Sequence, residues 1–294
     1  MLSIMKSVYL SAIFFAILSS VVACNKEDVV NTEATLQANA YISSATRTSY
    51  EIGNYGEKVP VKVSWDANES FKAYYEGGKS PVIFSKTAEG TSFMAESVPE
   101  GVSAATSFKG LYGSKATLDA DGKISIDFSA QNGSQENLSA YDVMSATSEL
   151  NNGVLSFAFK HNCAILRLKC VNHVNRQVDK VKLIFSKAKV SDEFAGTGII
   201  EGNSGQVTLS ITLKTPVEAG SAVKDKGSVG YRYVIVPAIK YRPEGKEIIT
   251  FGSFDSFEKP IDISETKSVE AGKVYDVLCD CGVEGDENGN IWID

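Results

Sequence analysis

Two histidines and five cysteines are the residues of this 294-residue chain best suited to chemistry, and four of them crowd into one stretch. His161-x-Cys163 and Cys170-x-x-His173 together spell a four-ligand set of the kind that holds zinc. The residues between Cys163 and Cys170 alternate as a strand, which holds the two halves apart. The preferred reading is therefore core cysteines and strand-edge histidines, with no metal. A nucleophilic triad needs a histidine beside a serine or cysteine, and both histidines are already in this stretch. Asp119-x-Asp121-Gly122 and Asp286-x-Asn288-Gly289 each carry part of a calcium loop. Phe128 stands where the first needs a carboxylate, and in the second that position falls beyond Asp294, so both read as hairpin turns. With no G-x-S-x-G, phosphate loop or dinucleotide fingerprint, no catalytic residue, no cofactor and no enzyme activity are expected.

The elements that position these residues are strands. Leu36, Ala38, Ala40 and Ile42 share one face of an alternating segment, as do Val59, Val61 and Val63 ahead of Trp65. Ile124 and Ile126 follow the turn dipeptide Asp121-Gly122. The pattern continues in Leu155, Phe157 and Phe159; in Ala164, Leu166, Leu168 and Cys170; in Val181, Leu183 and Phe185; and in Val207, Leu209, Ile211 and Leu213. Period-two repeats without helical segments predict an all-β chain of antiparallel sheets packed on one face. The turn signal Asn151-Asn152-Gly153 divides them into two tandem β-sandwiches, at 48–152 and 153–283, with 284–294 as a tail. The apolar parity switches from odd to even positions across His161 and Asn162, which predicts a turn or bulge there.

Residues 1–23 read as a secretory signal, with Lys6 ahead of an apolar run that ends in Val21-Val22-Ala23-Cys24. That ending resembles a lipobox, which implies cleavage between Ala23 and Cys24, lipid on Cys24, and a membrane held through that anchor. The run Asn25-Lys26-Glu27-Asp28 resembles the tag that sends Bacteroidetes lipoproteins to the outer face of the outer membrane. A formal net charge of −7 without a basic block argues against nucleic acid as a partner. Cys279 and Cys281 point the same way on one strand, and Cys163 and Cys170 face opposite sides of another, so any bridge pairs one member of each couple; four buried thiols are the alternative.

Four segments resemble the fimbrillin family of Bacteroidetes type V fimbriae. They are Ala45-Thr46-Arg47-Thr48 with Val63-Ser64-Trp65-Asp66; Asp142-Val143-Met144-Ser145-Ala146; Phe157-Ala158-Phe159-Lys160-His161-Asn162-Cys163-Ala164-Ile165-Leu166-Arg167-Leu168; and Glu218 to Lys273, with Tyr233-Val234-Ile235-Val236-Pro237 and a closing Val269-Glu270-Ala271-Gly272-Lys273-Val274-Tyr275. The resemblance implies transthyretin-like sandwiches, export as a lipoprotein, and other fimbrial subunits as partners. It also implies donor-strand exchange after an arginine-specific protease cuts between Arg47 and Thr48, removing a first strand of Leu36, Ala38, Ala40 and Ile42 that is weakly held by its small side chains. The competing reading is a surface glycan-binding or nutrient-capture lipoprotein with an aromatic platform drawn from Trp65, Tyr74, Tyr75, Tyr112 and Trp292, and a host protein or glycan stands among the expected partners.

Overall fold

Alternation in sequence becomes alternation in burial. Along β1 (Gln37–Ile42), Ala38 and Ala40 are buried while Gln37, Asn39 and Tyr41 face out. The computed structural model describes residues 35–42, 55–57, 65–87, 90–173, 175–202, 205–220, 227–251 and 268–281. Within them the chain continues through β2 (Ser70–Tyr75), β3 (Val82–Lys86), β4 (Ser92–Ala95), β5 (Ser107–Tyr112), β6 (Thr117–Leu118), β7 (Ile124–Ser125), β8 (Met144–Glu149) and β9 (Val154–His161). The second half adds β10 (Cys163–Asn172), β11 (Val178–Val190), β12 (Phe194–Gly196), β13 (Ile200–Gly202), β14 (Gln206–Val217), β15 (Ser228–Pro237), β16 (Ile239–Phe251), β17 (Ser268–Val269) and β18 (Val274–Cys281).

Where a two-layer sandwich was expected, the first strands close on themselves in the order β1-β4-β3-β2-β5-β8-β9 and back to β1. The closing ladder, β1 against β9, runs parallel, as does β10 against β18 in the second half. The barrel is filled with rings. Phe71 stacks on Phe84 at 5.2 Å and meets Phe93, Phe157 and Phe159 edge-on, each at 5.1 Å. Each such pair contributes about 0.5–1.5 kcal/mol beyond its buried area. Gly110 on β5 makes room for two of these rings, because a Cβ there would lie 2.8 Å from Phe157 Cδ1 and 2.9 Å from Phe159 Cζ.

The turn at Asn151-Asn152-Gly153, expected between domains, instead joins β8 to β9 inside the barrel. Asn152 and Gly153 adopt φ of 52° and 79°, the left-handed pair that suits a two-residue hairpin. The change of core comes later, at Asn162. Its N–H donates to Val143 O at 2.9 Å and its carbonyl accepts from Ala238 N at 3.1 Å, so the residue that follows β9 is already tied to the second core. The parity switch needs no bulge of its own: odd residues of β9 face the barrel, even residues of β10 face the second core, and Asn162 is the break between them.

That second core lies among the sheets β15-β10-β18 and β13-β14-β11-β16-β17. It also recruits Leu111, Ala116, Ile124, Ile126, Phe128, Leu138, Tyr141 and Val143 from the stretch after the middle of the barrel, so the expected 48–152 segment serves both cores. The hairpin at Asp119 forms as read. Asp119 Oδ1 accepts from Asp121 N and Lys123 N at 3.0 and 2.8 Å, which consumes that carboxylate in the turn.

Tyr55–Glu57 lies on the outer face of the sheet β15-β10-β18. Gly56 N donates to Asp276 Oδ2 at 2.8 Å, and Arg167 grips Asp276 with two bonds of 2.5 and 2.8 Å while donating to Glu57 O at 3.1 Å. The Tyr55 ring sits 6.2 Å from that of Tyr231.

Gly110→Ala should lower the stability of the barrel by about 1–3 kcal/mol, the usual cost of adding a methyl to a filled core. Chemical denaturation followed by tryptophan fluorescence measures it, and an unchanged midpoint would show that the rings have room to spare.

Candidate functional site

The site is the place that β1 fills. On one side Gln37, Ala38 and Asn39 pair antiparallel with Met94, Phe93 and Ser92; on the other, Gln37 to Ile42 pair parallel with Val154 to Phe159. Two further bonds extend the first ladder, Ala40 N to Thr91 O at 2.8 Å and Ala95 N to Leu36 O at 3.0 Å. Trp65 fastens the strand from inside the barrel by donating its indole Nε1–H to Ala40 O at 2.8 Å. The expectation of a weakly held strand is therefore corrected. Its side chains are small, but its backbone is paired along both edges and clasped by one indole.

Leu36, Ala38 and Ala40 are buried and Ile42 is half-buried, so the four residues expected to form one inward face do so. The Trp65 ring lies edge-on to Phe93, Tyr112 and Phe159 at 5.2, 5.5 and 5.6 Å. Trp65 and Tyr112 thus belong to the core and leave the aromatic platform. Tyr74 accepts a hydrogen bond from Leu118 N at 3.4 Å, and Tyr75 packs against Phe108. Ala23, Cys24, Arg47, Thr48, Trp292 and the tail 284–294 lie outside the described residues.

The histidine and cysteine cluster does not assemble into a metal site: among the described residues no group of three or more ligating side chains comes together. His161 Nδ1 bonds the buried carboxylate of Asp142 at 2.9–3.0 Å, while its Nε2 is buried without a partner. Cys163 is also buried, and desolvation, with Asp142 adding to it, pushes its thiol well above the ordinary range. Aspartate, histidine and cysteine are thus close in the fold, but a thiol held protonated in a dry core is no nucleophile. Cys170 and Cys279 are register partners across the β10–β18 ladder, and both are buried.

A cavity of about 350 Å³ opens between β2 and the loop after β5. Its charged groups are committed to the fold: Lys72 Nζ donates to Ala116 O at 2.7 Å and to Ser114 O at 3.5 Å, and Glu69 pairs with the Tyr112 hydroxyl. Burial lowers the Lys72 ammonium from its usual range, and burial with Glu69 beside it raises the Tyr112 hydroxyl far above its own. The arrangement pins the loop to the barrel.

A family model described as fimbrillin-like matches residues 28–293. The chain belongs to the fimbrillin-like family. Membership supports a fimbrial role at the cell surface, with other fimbrial subunits as partners. Among solved structures, a candidate cell adhesion protein from Bacteroides ovatus is 12% identical, with 88% of this chain and 97% of that one covered and a TM-score of 0.42. One from Bacteroides uniformis is 17% identical, with 85% and 94% covered and a TM-score of 0.40. A fimbrial protein from Bacteroides ovatus is 11% identical, with 90% and 54% covered and a TM-score of 0.35. No curated protein matches the chain. No helix among the described residues is long and apolar enough to cross a membrane.

In this fimbrillin-like chain, sequence reasoning missed the indole clasp and three side chains that seal sheet edges in the second half. Gln131 lies beside β15 like a short strand, its Nε2 donating to Ile235 O at 2.8 Å and its Oε1 accepting from Ile235 N at 2.7 Å. Asn172 Nδ2 donates to Arg176 O and Glu218 O at 2.8 and 2.7 Å, and Arg232 Nη2 to Thr215 O at 2.6 Å. For Asn172 and Arg232 the available signal was a lone amide or guanidinium inside an alternating strand; Gln131, in a polar stretch, carried none.

Trp65→Phe keeps the ring but leaves Ala40 O without its donor. It should cost about 1–3 kcal/mol and speed hydrogen exchange in β1 about tenfold or more, with the other barrel strands changing less. Exchange read by mass spectrometry checks this, and equal change in all strands would deny the clasp.

The Cys163 thiol has a folded pKa raised above its unfolded one, so its contribution is present below the ordinary thiol value near 9.0 and is lost as pH climbs past it. The thermal midpoint should fall on the alkaline side, and fall less steeply in Cys163→Ala. Identical slopes would refute the assignment.

Proposed function

We propose that the chain is a subunit or accessory protein of a surface fimbria, exported as a lipoprotein through Cys24 and assembled by donor-strand exchange in support of adhesion. In this reading the signal leaves before Cys24, residues 24–47 carry the lipid and the removable strand, and an arginine-specific protease cuts between Arg47 and Thr48. The two cores then act as two tandem transthyretin-like domains, the first of them opened by the cut.

The observation that carries the proposal is the position of β1. It is a whole strand of a closed barrel, it ends at Ile42, five residues before Arg47, and everything that precedes it in the mature chain would leave with it. Its loss uncovers two rows of backbone groups, on β4 and β9, together with the rings of Phe93 and Phe157. Unpaired strand edges and wet aromatic surface are both costly in water, so an opened barrel takes up a strand from elsewhere. Main-chain pairing supplies the affinity and the side-chain sites supply the choice. No metal, cofactor or nucleophile enters.

The mature chain treated with an arginine-specific protease should lose the residues through Arg47 and then form oligomers, read by mass spectrometry and size-exclusion chromatography. Arg47→Ala should remain uncut and monomeric. A cut product that stays monomeric at high concentration would overturn assembly by exchange.

A further inference from the structure

β1 records what can replace it. Ala38 faces Phe93 across one ladder and Leu155 across the other, and Ala40 faces Phe157. Both alanines are sealed, at 2% and 0% exposure, in a cluster with Trp65, Phe93, Phe157 and Phe159. Nor is there slack behind those rings, since a single Cβ on Gly110 would already collide with Phe157 and Phe159. The flanking positions differ: Leu36 and Ile42 place large side chains at the two ends of the same face. The groove between β4 and β9 is therefore wide at its ends and narrow in its middle. At the narrow part, the Trp65 indole requires a backbone carbonyl.

Resting on the strand-exchange reading, we propose that this groove selects its incoming strand by size. The occupant carries large apolar, small, small and large apolar residues at four alternate positions, with alanine or glycine at the middle two. The chain's own tail does not meet that rule. Between Gly282 and Asp294 the nearest window is Val283-x-Gly285-x-Glu287-x-Gly289. In either direction it drives the Glu287 carboxylate into one of the two alanine places, a dry site lined by rings, with no cationic partner among the described residues of that cluster. Residues 283–294 of a second copy are thus refused as the occupant.

Synthetic peptides offered to the protease-cut mature chain test this. They are residues 34–43, the same peptide with Ala40→Leu, and residues 283–293, each competing against a labelled 34–43 peptide. The parent peptide should bind, and the enlarged and tail peptides should compete at least about a hundredfold less well. Either of them competing within about threefold of the parent overturns the size rule. Should the parent peptide itself fail to enter, strand exchange falls, and the proposal with it; that result differs from the former because all three peptides fail together. Ala40→Leu in the uncut chain gives a reading independent of exchange. It should lower the unfolding midpoint, whereas Asn39→Leu on the outward face should not, and equal midpoints for Ala40→Leu and the parent overturn the narrow middle.

Discussion

A seven-stranded barrel closes only while each strand has a neighbour on both sides, and β1 supplies the two ladders that complete this one. Everything in the first half depends on that closure. The rings of Phe71, Phe84, Phe93, Phe157 and Phe159 stay dry because the wall is continuous, and the wall is continuous because the backbone of β1 is paired from Gln37 to Ile42. The strand adds little volume of its own. It is held as a backbone, by its ladders and by the Trp65 indole, and it is admitted as a side-chain pattern, by its two alanines.

The second half answers the same physical demand by another route. β15 has one strand neighbour, β10, and its exposed side is met by Gln131, whose amide supplies a donor and an acceptor where a strand would have placed them. Asn172 and Arg232 satisfy carbonyls of the β14 end and the loop after it. Side chains that occupy backbone groups leave nothing for a foreign strand to bind, which is how folded sheets avoid unwanted pairing. Points beside β14 and β15 are thus closed by side chains, and the gap between β4 and β9 by a short strand near the start of the described residues.

Much of this was legible in the sequence. Alternation identified the inward faces of β1, β9, β10, β11 and β14 residue by residue, because period two tells which side of a strand is dry. It does not tell which strand lies beside which. The parallel ladders join residues about a hundred or more apart, Ala38 to Leu155 and Leu166 to Tyr275, and no local pattern carries that information. Closure into a barrel was hidden for the same reason. Asn152-Gly153 was read correctly as a turn, but a turn signal is the same whether it links two domains or two strands of one sheet. The strength of β1 was misjudged because side-chain size was counted and backbone pairing was not. His161 and Cys163 stand out as chemistry, yet it is the backbone of their neighbour Asn162 that marks the passage from the barrel to the second core.

Both cores place their leading strand parallel to their final one, β1 with β9 and β10 with β18. The likeness hides an asymmetry of connection. In the proposed exchange β1 is severed from the rest of the chain, whereas β10 is joined through Asn162 directly to β9, so it cannot depart without breaking the molecule in two. Under the proposed exchange the barrel has a valency of one on its receiving side, and units joined there add in single file.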